Sequence, residues 1–385
     1  MKIVIAMDSF KGSLTSLEAG CAVADGIRRA APDAELEVLP LADGGEGTVA
    51  ALCSDDRGEL VKIPVSSPTG DTVIAEYGIL SGGTAVIEIA EAAGLFLVSP
   101  ERRDPMTVST RGVGELILDA LDRGSRSFIV GIGGSATNDG GTGMLRALGY
   151  RFLDVDGCDI PEGCAALSSL ASISCENADA RLAECSFKVA CDVTNPLLGE
   201  LGCSAVFAPQ KGAKADNIPT MDHALGVLAA VTKKCVCDSA DPEFPGVGAA
   251  GGLGYAFKYY LGATLEAGCP LILKETGALS QIEKADVVIT GEGRLDAQSL
   301  MGKLPTSVAQ AAARFDVPVI AVGGSVSDDV ALNDGGLAAY FPIVHAPCTL
   351  DFAMERERAQ QNLRRTAEQI MRLWLVGAAY ARKNL

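Results

Sequence analysis

Histidine is almost missing from this chain. Only His223 and His345 occur in 385 residues. With so little histidine and no GxSxG segment, histidine-driven hydrolysis is poorly supplied. Tryptophan is rarer still, with Trp374 alone. No uncharged apolar run reaches the ~18 residues of a membrane-spanning helix. The best stretch, residues 84–98, is interrupted by Glu88 and Glu91. The first ten residues meet Asp8 early and read as a strand rather than an apolar leader. Positive charge is short: 32 Lys and Arg stand against 49 Asp and Glu, for a net charge of −17. Nucleic acids and anionic membranes require a basic stripe, so neither is expected as a partner. Cysteine is not scarce, at twelve residues, but no CxxC pair occurs and Cys235-Val236-Cys237 is a lone CxC. Neither a disulfide framework nor a zinc site is expected. The thiols read as reduced and mostly buried in a cytoplasmic protein.

What is present is a core-forming composition, 48% hydrophobic, at a length that fits two domains. Residues 2–6 read as a strand, and a loop over 8–14 follows. Thr15 and Glu18 then fit a capping box opening a helix to about residue 30. Residues 36–41 read as a second strand, followed by a loop over 43–47 and another helix. This alternation predicts a parallel, doubly wound sheet, which binds ligands at the carboxyl ends of its strands. The rhythm changes near residue 60, where strand-like runs at 60–65, 72–80 and 84–89 are separated only by turns. That pattern is an antiparallel meander, read as the start of a second domain inserted into the first. A helix at 113–121 and a strand at 127–132 follow. Alternation resumes at 285, with strands at 286–290, 317–322 and 340–344. A helix opens at Pro305, and a last helix runs from 351 to about 378. The expected domains are therefore 1–60 with 285–385, and 61–284.

Five polar, Gly-rich segments follow the predicted strands and read as loops: 8–13, 43–47, 133–141, 291–296 and 323–325. Glycine lets the backbone approach a ligand, and a helix N-terminus offers N–H groups to an anion. Five such segments, each with a carboxylate, hydroxyl or cation, point to a polyanion site. The residue types suit phosphoryl transfer: Asp8, Asp43, Asp139, Asp192 and Asp296 can hold Mg²⁺, and Lys11, Lys211, Arg294 and Lys303 can neutralise phosphate. Two motifs are set aside. Gly246-Val-Gly248-Ala-Ala-Gly251 matches GxGxxG but follows no strand, and reads as the opening of a helix over 255–261. Gly302-Lys303 is followed by Leu304 and lacks the earlier glycine of a Walker A loop.

The segments MDSFKGSLTS (7–16), PLADGGEGT (40–48), GIGGSATNDGGTGML (131–145), CDVTNPLLG (191–199), FAPQKGA (207–213), GAAGGLGY (248–255) and TGEGRLDAQSLMGK (290–303) together closely resemble the type-1 glycerate kinase family. The resemblance spans essentially the whole chain. It implies ATP-dependent phosphorylation of glycerate, usually on the 2-hydroxyl to give 2-phosphoglycerate. It implies a flavodoxin-like doubly wound domain interrupted by an inserted α/β domain resembling a restriction-endonuclease core, with the active site in the cleft between them. ATP and Mg²⁺ are the expected cofactors, glycerate the small-molecule partner, and a homo-oligomer is compatible. Phosphorylation of another hydroxy acid, or of the 3-hydroxyl, stays open.

Roles are assigned on the motif positions. The catalytic set is Asp192, Lys11 and Asp43. Asp192 ends the apolar run 187–190 and is the first candidate to accept the substrate's hydroxyl proton, with Asp43 and Asp296 as rivals; the alternative reading is a turn cap. Asp8, Ser9, Glu292, Arg294 and Asp296 are assigned to substrate. Gly133, Gly134, Ser135, Thr137, Asn138, Asp139 and Lys211 are assigned to nucleotide. No metal ligand set is assigned.

Overall fold

The chain opens on β1 (Lys2–Met7), a β-branched run buried on both faces, as a central strand of a parallel sheet must be. The structure is a computed structural model and describes residues 1–54, 57–327 and 331–384. The helix Ser16–Ala30 is held at its start by the expected capping box. Thr15 Oγ1 accepts from Glu18 N at 3.2 Å, and the Glu18 carboxylate accepts from Thr15 N at 2.9 Å. β2 (Glu35–Pro40) pairs parallel with β1. Next come β3 (Gly58–Ser66), β4 (Thr72–Leu80) and β5 (Thr84–Glu88), the antiparallel meander. β6 (Ser127–Gly131), β7 (Arg151–Leu153), β8 (Ser172–Ser174), β9 (Ser186–Ala190) and β10 (Thr264–Glu266) follow. The chain ends through β11 (Val287–Leu295), β12 (Val319–Val326), β13 (Ala339–Pro342) and the helix Arg356–Asn384.

These mixed α/β elements form two compact units, Met1–Asp43 with Cys269–Leu385, and Gly44–Gly268. The first unit holds one five-stranded parallel sheet, β13-β12-β11-β1-β2. Helices Ser16–Ala30 and Arg356–Asn384 pack on each other and on the sheet, burying Ile3, Ile5, Val23, Ile27, Leu363 and Ala367. The second unit holds the six-stranded sheet β10-β9-β6-β5-β4-β3, in which β4 alone runs against the other strands, and the small pair β7-β8. Phe128 and Phe187, paired across β6 and β9, stack at 4.6 Å in its core.

Several elements differ from the sequence expectation. The unit boundaries fall at 43/44 and 268/269 rather than near 60 and 285. The short helix Thr48–Leu52 packs on β4 and β5, and the helix Ala278–Ile282 packs on Leu304–Ala313, so each joins a different unit from the one its sequence position suggested. Segments 291–295 and 323–325 are not loops. β11 and β12 continue through them, paired up to Leu295 with Val326. The segment 246–251 opens no regular helix: Ala249–Tyr260 is broken by left-handed backbone at Ala250, Gly251 and Gly252. The last helix is two, Leu350–Met354 and Arg356–Asn384. Among the described residues no helix is long and apolar enough to cross a membrane.

Candidate active site

In the first unit, β1 and β2 lead one way across the sheet while β11, β12 and β13 lead the other. The carboxyl ends around β1 are therefore the switch point of an open α/β sheet, where ligands collect. A cavity of about 620 Å³ opens there. Asp8 follows β1 directly and is 4% exposed, its Oδ1 accepting from Ser9 N at 2.7 Å. Lys11 stands exposed in the turn that Phe10 and Leu14 close by exchanging backbone hydrogen bonds of 2.9 and 3.0 Å. Asp43 comes from the loop after β2. β11 runs past its last partner on β1, Met7, and alternation along the strand turns Glu292 and Arg294 to one face. Glu292 accepts from Ser299 Oγ at 2.5 Å and lies 3.9 Å from Lys303 Nζ. Arg294 Nε sits 3.3 Å from Asp296 Oδ2. The opposite wall is apolar, with Phe10, Ile343, Leu350 and Met354.

Three carboxylates thus face three cations. Burial first, and the neighbouring Asp43 charge second, push the Asp8 carboxyl up to about 7. Burial likewise raises Glu292, helped by Asp296 and Asp43 and opposed by the Ser299 bond and Lys303. Ser9 Oγ and Ser13 Oγ are buried with no partner among the described residues. The arrangement can bind a small anion through its cations and present acidic oxygens to a hydroxyl or a divalent ion.

The second unit collects its own polar groups at the carboxyl ends of β5, β6 and β9. Glu88, 8% exposed, accepts from Val49 N at 2.7 Å and Gly47 N at 3.3 Å, and burial pushes it up to about 7. After β6, Gly133 and Gly134 are exposed while Ser135 is buried. Thr137, Asn138 and Asp139 are fully buried. Asp139 accepts from Thr110 N (2.9 Å), Thr110 Oγ1 (2.8 Å), Gly141 N (3.1 Å) and Gly143 N (3.1 Å). It ties two helix starts together, with both carboxylate oxygens engaged inside the unit. Asn138 Nδ2 donates to Ser204 Oγ at 3.0 Å. Lys211, also assigned to nucleotide, is buried beneath the loop. The glycines of 246–251 pack against this loop, where a Cβ on Gly251 would stand 2.1 Å from the Thr137 carbonyl oxygen.

The structure therefore brings Lys11, Asp43, Asp8, Ser9, Glu292 and Arg294 together, with Asp296 beside Arg294. Asp192 is not among them. It is exposed at the end of β9 in the second unit, and its Oδ1 accepts from Gly268 N at 2.8 Å. Sequence reasoning missed Ser13 and Ser299, although both lie inside motifs it quoted. It also missed Thr110, Ile343 and Met354, for which the sequence carries no signal.

A cavity of paired carboxylates and cations at a parallel-sheet switch point has the chemistry to receive a small anionic molecule. The glycerate kinase family model matches residues 3–375, and the chain belongs to that family. It is 45% identical over 375 residues to a glycerate kinase of Haemophilus influenzae, covering 97% of this chain and 98% of that one. It is 47% identical over 372 residues to a glycerate kinase of Bacillus subtilis, with 96% and 97% covered. It is 44% identical over 379 residues to the glycerate 2-kinase of Escherichia coli, with 98% and 99% covered. A crystal structure from Salmonella typhimurium LT2, provisionally described as glycerate kinase 2, superposes with a TM-score of 0.90 at 44% identity, covering 98% of this chain and 99% of that one. The protein is thus a kinase.

Proposed function

We propose that the protein transfers the γ-phosphoryl group of ATP to the 2-hydroxyl of D-glycerate, giving 2-phosphoglycerate in the cytoplasm. The observation that carries this reading is the convergence of Lys11, Arg294 and Lys303 with Asp8, Asp43 and Glu292 in one cavity. Lys11 and Arg294 pair with the substrate carboxylate through charge-assisted hydrogen bonds. Asp43 accepts the hydroxyl proton as the oxygen attacks phosphorus. That role moves from Asp192, whose carboxylate holds Gly268 N. The exposed Gly133–Gly134 backbone receives nucleotide phosphate, as glycine-rich segments after strands do. The strand order of the first unit, counted within it as second, first, third, fourth, fifth, supports classing that unit as flavodoxin-like. The second is then the restriction-endonuclease-like insertion.

Among the described residues no group of three or more His, Cys, Asp or Glu side chains could hold a metal. Mg²⁺ needs fewer protein ligands, usually one or two carboxylates with phosphate oxygens completing the shell. Asp8 fits that demand as a buried carboxylate beside the negative Asp43. Bound there, the ion would draw charge from phosphate oxygens.

The test is ADP release with and without D-glycerate, followed by phosphorus NMR of the product. Glycerate-dependent turnover giving 2-phosphoglycerate is expected. A product phosphorylated at the 3-position, or ADP release indifferent to glycerate, overturns the proposal.

A further inference from the structure

The second unit buries an ammonium group. Lys211 ends the short turn Pro209–Lys211 and is 3% exposed. Its Nζ donates to Ser135 Oγ and to the Thr137 carbonyl, both at 2.7 Å. Both acceptors are neutral, and among the described residues the ammonium forms no ion pair. Two titratable groups face it. Asp139 has its carboxylate occupied by the four donors from Thr110, Gly141 and Gly143. Cys203 is a thiol that burial pushes up to about 12. Nearby on the same loop, Thr137 Oγ1 and Asn138 Oδ1 are buried without a partner among the described residues. A buried charge held only by neutral dipoles is costly. It is tolerated where an anion completes the arrangement.

We propose that Lys211 is a positioning residue of the phosphate loop: it fixes residues 135–137 from beneath, and its charge is balanced when an anionic phosphate settles on the exposed Gly133–Gly134 backbone. This rests on the reading of that loop given above. The consequence is reciprocal linkage, since an anion that favours the charged ammonium must bind more tightly when the ammonium is charged. Burial lowers Lys211 to about 8, so above that pH the empty protein holds it mostly neutral. Phosphate binding there draws a proton in.

The experiment is calorimetric titration of ADP into the full-length protein in buffers of different ionisation enthalpy. Proton uptake of a large fraction of one proton is expected at about pH 9, fading at about pH 6.5, where Lys211 is already charged. Lys211→Met, which removes a buried charge without adding volume, should abolish the uptake and weaken ADP by roughly 5–150-fold. Lys211→Arg, permanently charged, should bind ADP with no uptake and no loss of affinity between about pH 8 and 9. Absence of uptake in the wild type, or equal uptake in Lys211→Met, overturns the role of Lys211. Gly134→Val, at a backbone φ of +73°, tests the loop itself. If ADP binds that variant unchanged, the phosphate-loop reading fails whatever Lys211 does; if it binds weakly while uptake is missing in the wild type, only the Lys211 inference fails.

Discussion

Asp43 and Asp192 are the two carboxylates that single substitutions separate most sharply. Asp43 lines the cavity with Lys11, whereas Asp192 anchors a backbone N–H. Asp43→Asn should lower kcat by roughly 10²–10⁴-fold, with KM for ATP little changed. Asp192→Asn, which can still accept from Gly268, should stay within about threefold of wild type, since acid–base catalysis carries no part of its role. Steady-state kinetics of both variants decide it, and the reverse pattern would return the proton to Asp192. Lys11→Met should raise KM for glycerate by roughly 10–150-fold, the worth of a charge-assisted hydrogen bond. At this scale much was legible. Asp8, Ser9, Lys11, Glu292 and Arg294 sit in unbroken motifs beside strand ends, so short-range pattern placed them. The partners of Asp139 were not legible, because Thr110 and Gly143 come from two helix starts, one of them 29 residues away.

Among the elements, the loop after β6 depends on the left-handed turn at Gly251. An alanine there would meet the Thr137 carbonyl oxygen at 2.1 Å and strain a backbone at φ +69°. Gly251→Ala should cost at least about 2 kcal/mol in denaturant unfolding and weaken nucleotide binding more than glycerate binding. The short helix Thr48–Leu52 gives a pH test. Glu88, at the end of β5, accepts its first N–H groups and is pushed up to about 7 in the folded protein. A raised folded value adds stability in acid that is lost as pH climbs through about 7. Glu88→Gln does not titrate, so its melting temperature should gain on wild type by roughly 2–8 °C between about pH 5 and 8. A constant difference across that range would refute the assignment. Most strands of both large sheets were legible from β-branched and alternating runs, and the first helix from its capping box, whereas the three-residue strands β7, β8 and β10 were too short to show a pattern. The extensions of β11 and β12 were not, because glycine reads as a turn signal until a neighbouring strand supplies its pairing, as β12 does for Glu292 and Arg294.

For the whole molecule, activity should vanish in excess EDTA and return with Mg²⁺; full turnover in the chelator would remove the ion from the reaction. The interrupted first domain was legible from βα alternation at both ends of the chain, but its boundaries were not. Which sheet a short helix covers is decided by packing. That interruption also sets a clock on synthesis. Thr290 Oγ1 donates to the Ala6 carbonyl across 284 residues, and β1 pairs with β11 along its length. At ribosomal rates of roughly 5–20 residues per second, β1 emerges ~15–60 s before β11, one of its two neighbours. During that interval β1 can pair with β2 on one edge, but its other edge, along Ile3, Val4 and Ile5, waits without β11, while the contiguous second unit has already been made. Nascent chains halted before about residue 287 should therefore engage chaperones through their first residues, and release them only when β11 has cleared the tunnel.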